Sequence, residues 1–161
     1  MNAHFFDNQF MLQTLELAKT AYDSGEIPVG ALIVNRFSKK IITKTHNLVQ
    51  KNNDSILHAE IIAIHNACIS VGSKNLSDFD IYISLEPCTM CAAAISISKI
   101  SRLFYGAADP KQGAVENGVR FFTSSSCFHR PEIYPDLQRD SSATLIKSFF
   151  AQIRVKEICK L

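Results

Sequence analysis

Two passages in which apolar strand patterns give way to helical patterns constrain the fold of this chain most. The run VGALIVN at 29–35 and the run DIYISL at 80–85 suit buried strands. Helical spacing of apolar residues follows at 58–72 and 88–100, and SRLFYG at 101–106 has a further strand pattern. Strands that alternate with helices of this length imply parallel strand pairs with helices on both faces. We therefore predict an α/β fold with three layers, α/β/α, around a central mixed sheet of about five strands.

The remaining segments complete the predicted order of elements. An amphipathic helix is predicted over about 5–24, and IITKTHN at 41–47 is predicted to form a β-hairpin with the strand before it. Residues 48–57 are a predicted polar loop. Residues 106–131 contain three Gly and two Pro and are predicted to form a long irregular connection, which is often functional in proteins. The last helix is predicted over 140–159.

The helix predicted at 58–72 carries a stripe of larger apolar residues. Ile61, Ile64, Cys68 and Val71 recur at helical spacing, and Gly72 follows as a helix end. Ile62 and Ile69 lie beside this stripe, and the pattern predicts a mostly buried helix.

Length and composition indicate one domain over residues 1–161. The chain is 47% hydrophobic, has no break in composition, and contains no apolar stretch close to the roughly 18 residues that a membrane span needs. We predict a cytoplasmic protein that does not associate with membranes. The net charge of +2 favours neither nucleic acid nor membrane. From Arg139 onward, however, there are five basic residues and two acidic ones. This basic excess is either a contact surface for an acidic partner or a solvated helix face.

Two cysteines lie close together in a chain whose cysteine count is odd. Five cysteines without an export signal argue against a disulfide framework and favour metal or thiolate chemistry for the pair Cys88 and Cys91. Residues three apart share one face of a helix, so the first turn after Pro87 presents both sulfurs to one point. His58 and Glu60 are two apart and can converge only at the open first turn of their own helix.

These four residues predict a zinc site with a catalytic water. His58, Cys88 and Cys91 supply three ligands and leave the fourth tetrahedral position open, as catalytic zinc sites do. Zinc lowers the pKa of a bound water, and Glu60 is the predicted carrier of its proton. The alternatives are a redox CxxC motif and a purely structural zinc, for which a proton carrier would have no use.

The pattern His58-Ala59-Glu60 followed by Pro87-Cys88-Thr89-Met90-Cys91 resembles the H-x-E…P-C-x-x-C signature of the zinc-dependent cytidine and nucleobase deaminases. Within that superfamily the chain is most similar to the bacterial tRNA-specific adenosine deaminases, nearly from end to end. The matching stretches are EIPVGALIV, HN at 46–47, HAE, LEPCTMCAAA, FYGAADPKQGA and the FF near the C-terminus.

The resemblance implies a cytidine-deaminase-like fold and an activity. Members of that family are homodimers with one Zn²⁺ per subunit that convert the wobble adenosine of a tRNA anticodon arm to inosine, by zinc-activated water and a Glu proton shuttle. Carried over to this sequence, the resemblance implies a set of substrate contacts and a set of RNA contacts. The substrate contacts are Asn47, Pro28, Val29, Ala59 and Asp109, and the RNA contacts are Phe149, Phe150 and Arg154. The two phenylalanines have an alternative role as core anchors of the last helix.

Two departures from the family pattern leave alternative functions open. Ala108 stands where an arginine is common, and Ala151, Gln152 and Ile153 stand where the family often has an arginine cluster. Both departures remove positive charge where RNA would lie. A guanine or small nucleoside deaminase with the same zinc centre is therefore one alternative, and a non-catalytic RNA-binding protein with structural zinc is another.

Overall fold

Five strands form one mixed sheet in the computed structural model, which describes residues 3–158. The helices are α1 (Ala3–Asp23), α2 (Val49–Asn52), α3 (Ala59–Val71), α4 (Thr89–Ile97) and α5 (Arg139–Ile158). The strands are β1 (Gly30–Asn35), β2 (Ile41–His46), β3 (Phe79–Leu85), β4 (Arg102–Ala107) and β5 (Glu132–Tyr134), and a 3₁₀ turn spans Phe121–Thr123. Residue 159, the last of the predicted C-terminal helix, lies outside the described residues.

The strand order is β2-β1-β3-β4-β5, which confirms the predicted mixed sheet. The β1–β2 hairpin is antiparallel, as predicted, and β1 also pairs antiparallel with β3. The pairs β3–β4 and β4–β5 are parallel. Strand β5 has only three residues, two of them exposed, so its sequence carries no periodic signal that could have located it.

Helices cover both faces of the sheet and complete the predicted three layers. On one face α1 packs on β1 and β3, and α5 packs on β4. On the other face α3 packs on β2 and β1, beside α4. Alternate residues of β1 divide between the two cores, with Ala31 and Ile33 facing α3 and Leu32 and Val34 facing α1.

The approach of α1 to β1 depends on Gly30. A Cβ atom at this position would lie 2.8 Å from the backbone nitrogen of Ala18 and would also overlap the carbonyl of Thr14. Because glycine has no side chain, the backbone of α1 can pack directly against Gly30, the first residue of β1.

Helix α3 buries two alanines more deeply than the predicted apolar stripe. Ala63 and Ala67 are fully buried against the sheet. The stripe residues Ile64, Cys68 and Val71 are partly buried and pack against the same core, as predicted, whereas Ile69 beside the stripe is 68% exposed. Small side chains let the helix approach the strands closely, so the alanines fill the space nearest the sheet and the stripe packs at the margin of the core.

Two predicted loops contain more structure than their sequences indicate. The polar segment 48–57 includes the single turn α2, and the connection 106–131 includes the 3₁₀ turn. None of the helices within residues 3–158 is both long and apolar enough to cross a membrane.

The topology brings four separate segments to one edge of the sheet. Strands β3 and β4 end at this edge, β2 ends there too, and β1 begins there because it runs antiparallel to both β2 and β3. The backbone N–H of Gly30 donates to Ser84 Oγ at 3.1 Å across this edge. Ligand sites of open α/β sheets lie outside the carboxyl ends of the parallel strands, and this edge is that position.

Candidate active site

Three predicted ligands meet at the N-termini of two helices. His58 is the N-cap of α3 and Cys88 is the N-cap of α4, with Cys91 one turn further along α4. His58 Nδ1 lies 3.7 Å from Cys88 Sγ and 3.6 Å from Cys91 Sγ. One ligand atom from each of the three residues lies within 4.8 Å of the other two. The helix ends thus place one nitrogen and two sulfurs around a common point.

The spacing of these atoms fits a tetrahedral zinc ion. Bonds of about 2.0–2.1 Å to nitrogen and about 2.3 Å to sulfur, at a tetrahedral angle, separate the two ligand atoms by about 3.6 Å. The two distances between His58 Nδ1 and the sulfurs match that separation. A nitrogen and two thiol ligands are also a donor set that zinc prefers. His58 Nδ1, Cys88 and Cys91 can therefore hold one Zn²⁺ and leave a fourth position for a small molecule.

Hydrogen bonds within the cluster favour the thiolate form of one cysteine. The pKa of Cys88 is lowered to about 4. The hydrogen bond with the Cys91 thiol is the largest cause, and the hydrogen bond with His58 acts in the same direction. The hydrogen bond with Cys88 and burial both raise the pKa of Cys91. The hydrogen bond to Cys88 likewise raises the pKa of His58, against the opposing effect of burial. These interactions favour the thiolate at Cys88, which is the form of cysteine that binds metal.

Glu60 lies beside the ligands with an uncommitted oxygen. Its side chain is 4% exposed, and its Oε2 has no hydrogen-bond partner among the described residues. Burial raises the pKa of Glu60 above the ordinary glutamate value. A buried carboxyl group with a raised pKa and a free oxygen is suited to accept a proton and release it again.

Asn47 follows β2 and contacts α3. Its Oδ1 accepts the backbone N–H of Ala59 at 2.9 Å. The backbone N–H of Asn47 donates to the Val29 carbonyl at 3.1 Å. Because the Ala59 N–H needs an acceptor, the side-chain amide must turn its oxygen toward Ala59 and its Nδ2 away from it. Asn47 therefore ties the loop before β1 to the start of α3 and keeps two N–H donors for another group.

The other predicted substrate contacts lie at the same sheet edge. Pro28 and Val29 are buried in the segment that enters β1. Ala59 is fully buried, and its N–H is used by Asn47. Asp109 follows β4, and its Oδ1 accepts the N–H groups of the residues two and three positions ahead. Contacts of these four residues with a substrate stay predictions.

The C-terminal pair of phenylalanines divides between two roles. Phe149 is 5% exposed and packs its ring edge-on against Tyr22 of α1, with 5.6 Å between ring centroids. It occupies the position of a core anchor, the alternative that its sequence left open. Phe150 is 40% exposed and Arg154 is exposed, so both side chains are accessible to a partner.

Glu86 is a site residue that the sequence did not identify. It lies two residues before Cys88, is 2% exposed, and accepts five hydrogen bonds from the loop that follows β4. Burial opposes ionisation, but the N–H groups of Asn117 and Asp109 outweigh it and lower the pKa of Glu86. The only signal in the sequence was a glutamate between a buried strand and Pro87, a position where an unpaired charge would be costly.

Comparisons with known proteins agree with this geometry. The cytidine and deoxycytidylate deaminase zinc-binding region matches residues 5–107. A tRNA-specific adenosine deaminase of Rickettsia typhi (strain ATCC VR-144 / Wilmington) is 54% identical over 144 residues, which cover 89% of this chain and 97% of that protein. One of Agrobacterium fabrum (strain C58 / ATCC 33970) is 44% identical over 148 residues, covering 92% and 96%. A solved structure from a study of A-to-I editing by tRNA:A34 deaminases at the wobble position of transfer RNA has a TM-score of 0.82 and 45% identity, covering 85% of this chain and 98% of that chain.

Proposed function

Because this chain belongs to the zinc-binding family of cytidine and deoxycytidylate deaminases, we propose that it converts adenosine to inosine at the wobble position of a tRNA anticodon. The reaction is a hydrolytic deamination, in which water replaces the 6-amino group of adenine and ammonia leaves. The relatives at 54% and 44% identity and the structural match carry the names of enzymes of this activity.

The function rests on one arrangement in the molecule. The atoms of His58, Cys88 and Cys91 that suit zinc lie together. The buried carboxyl group of Glu60 interacts with the same three side chains, and its Oε2 has no hydrogen-bond partner among the described residues. A structural zinc site has no use for such a carboxylate, whose burial without a partner costs stability. A hydrolytic enzyme requires it, because the proton of the attacking water must move to the leaving nitrogen.

The residues of this chain divide the work of the reaction. His58, Cys88 and Cys91 would hold Zn²⁺, and the bound ion would lower the pKa of a water molecule. Glu60 accepts a proton from the attacking water as the water oxygen bonds to C6 of adenine, and the same carboxyl group then gives a proton to the amino group, which leaves as ammonia. The raised pKa of Glu60 suits both transfers, since the group must hold the proton between them.

The walls of the site orient the base. The Nδ2 of Asn47 points away from Ala59 and is available to donate to an acceptor on the nucleoside. Pro28 and Val29 give an apolar wall, and Asp109 lies on the loop on the other side of the site. A base in an anticodon loop is already partly unstacked, so its extrusion into this site costs less than extrusion from a duplex.

The anticodon arm is proposed to contact helix α5. Arg154 is exposed and can neutralise a phosphate, and the exposed ring of Phe150 can pack against a base or ribose. The buried Phe149 supports this surface from beneath instead of touching RNA.

The proposed assembly is a homodimer of single-domain subunits, each comprising residues 1–161, in the cytoplasm where tRNA is edited. Ile69 on α3 and Ile97 on α4 are 68% and 81% exposed. Both helices lie on the same face of the sheet and contact each other. Burial of these two side chains against a second copy would remove them from water.

A substrate comparison tests the proposed function. The zinc-loaded protein is incubated with an anticodon stem-loop that carries adenosine at the wobble position, and in parallel with free adenosine, guanine and cytidine. We expect inosine in the stem-loop and no comparable turnover of the free compounds. Turnover of a free base without product in the stem-loop would assign the protein to small-molecule deamination instead.

A further inference from the structure

We propose that Glu86 is a positioning residue that holds loop 109–117 against the zinc ligands and thereby shapes the mouth of the substrate site. This inference rests on the proposed function, because it concerns how the same site receives its substrate. Glu86 follows the last residue of β3, whereas every donor to its carboxylate lies in the loop after β4. One carboxylate therefore joins the ends of two parallel strands.

The contacts to Glu86 come from both ends of the loop. Its Oε2 accepts the N–H of Asp109 at 2.9 Å and the side-chain amide of Asn117 at 2.6 Å. Its Oε1 accepts the N–H groups of Val115, Glu116 and Asn117 at 3.0, 2.8 and 3.0 Å. Hydrogen bonds to an ionised acceptor are stronger than neutral ones, so this set fixes the loop at its first and last residues.

The fixed loop lies directly against a metal ligand. Gly113 forms an isolated antiparallel bridge with Cys88, and the N–H of Ala114 donates to the Pro87 carbonyl at 2.9 Å. A cleft of about 380 Å³ opens here, and its lining includes Cys88 and the exposed loop residues Lys111 and Gln112. The loop therefore lines the cleft beside the ligand Cys88, and in this proposal its position sets how open that cleft is to a substrate.

Gly113 shows how closely the loop lies on the carboxylate. A Cβ atom at this position would lie 2.5 Å from both Cδ and Oε2 of Glu86 and 2.5 Å from the carbonyl oxygen of Asp109. The carboxylate cannot move aside without breaking its five hydrogen bonds. Any side chain at 113 would push the loop away from Glu86, so Gly113→Ala perturbs the same contact from the opposite side.

Glu86 is expected to affect substrate binding more than the chemical step. Glu60 and Cys91 lie in α3 and α4, and His58 and Cys88 are the N-caps of those helices, so we expect loss of the Glu86 contacts to leave these groups in place. A released loop must instead be ordered each time substrate binds, which raises KM. A purely stabilising residue would behave differently, since partial unfolding lowers the active fraction and the apparent kcat while KM stays constant.

The test uses Glu86→Gln and Gly113→Ala with Asp80→Asn as the matched control. Glutamine has the shape of glutamate but presents an NH₂ group to donors that need an acceptor. Asp80 is a buried carboxylate at the opposite end of the same strand, paired with Arg102 and remote from the loop. Zinc content, Tm, kcat and KM for the anticodon stem-loop are measured for each variant, together with amide hydrogen exchange of the peptide covering 109–117.

We expect Glu86→Gln and Gly113→Ala to raise KM about tenfold, with kcat within about twofold of wild type and unchanged zinc content. Exchange at 109–117 should accelerate in both. Asp80→Asn should lower Tm without changing KM or the exchange of this peptide.

A constant KM in Glu86→Gln, or unchanged exchange at 109–117, would overturn the positioning role. If the wild-type protein forms no inosine, the proposed function is refuted. The positioning role of Glu86 is still tested in that case, because hydrogen exchange reports whether Glu86 holds loop 109–117.

Discussion

Cys91 Sγ lies 3.6 Å from His58 Nδ1, although 33 residues separate the two in sequence. The contact joins the first turns of two helices that follow β2 and β3, and these strands both pair with β1, so the contact exists only when the three strands and both helices are assembled. A metal bound at this contact would bind the folded state and not the unfolded chain, and would therefore stabilise the fold.

Loss of a thiol ligand should therefore cost both metal and stability. We expect Cys91→Ser to lower zinc affinity by more than about a hundredfold, because loss of a ligand costs more than loss of a residue that only contacts a ligand. The Tm of the variant should fall to that of chelator-treated wild type. Metal analysis and thermal unfolding measure both quantities. Cys68→Ser is the control, because Cys68 packs half-buried on α3 away from the ligands. Full zinc content in Cys91→Ser would contradict the ligand set.

Replacement of Asn47 should separate its structural role from its substrate role. Asn47→Asp keeps the oxygen that accepts the Ala59 N–H but removes both side-chain donors. We expect kcat/KM to fall about 10- to 100-fold, as loss of a buried hydrogen bond to a substrate implies, with Tm close to wild type. Asn35→Asp, at the last residue of β1, is the matched control, because Asn35 Oδ1 also accepts backbone N–H groups. Wild-type kcat/KM in Asn47→Asp would remove Asn47 from the site.

Removal of Arg154 should weaken RNA binding through electrostatics. We expect Arg154→Ala to raise the Kd for the anticodon stem-loop and to reduce the slope of log K against log salt concentration by about one unit. Binding titrations at several salt concentrations give both values. Lys74→Ala removes an exposed charge from the turn before β3 and should leave the slope unchanged. An unchanged slope in Arg154→Ala would show that α5 does not contact a phosphate through this residue.

A charge on the surface of α4 should disrupt the proposed dimer. Ile97→Asp places a carboxylate where an 81% exposed isoleucine is proposed to be buried by the second subunit. Light scattering after size-exclusion chromatography should give a dimer for wild type and a monomer for the variant. Phe37→Asp replaces a similarly exposed residue in the β1–β2 turn and should leave the mass unchanged. A dimer of Ile97→Asp would place the interface elsewhere.

The parts of the fold that the sequence predicts are those with a strong local signal. Apolar runs located β1, β3 and β4. The positions of His58 and Cys88 at the starts of two predicted helices indicated that these two side chains converge. Strand β5 and the single turn α2 escaped prediction because three or four residues cannot show a period. The apolar stripe of α3 packs against the core as predicted, but the fully buried Ala63 and Ala67 were not singled out, because hydrophobicity marks the larger residues whereas close packing against a sheet favours alanine.

The role of Glu86 depends on contacts that no local pattern contains. Its donors lie 23 to 31 residues further along the chain and are mostly backbone N–H groups, which every sequence segment possesses. Only the parallel pairing of β3 with β4 brings them to its carboxylate. The same limit applies to Phe149, whose burial follows from the position of Tyr22 on α1.

The most direct test of the catalytic assignment compares wild type with Glu60→Gln on a full-length tRNA that carries adenosine at the wobble position. Both proteins are loaded to the same zinc content, and the wobble nucleoside is identified by mass spectrometry. We predict inosine with wild type and a rate at least about 10²-fold lower with Glu60→Gln, the range lost with a general acid–base group. Inosine formation by Glu60→Gln at the wild-type rate would contradict the proton-transfer role of Glu60, and a tRNA left unmodified by zinc-loaded wild type would contradict the proposed function itself.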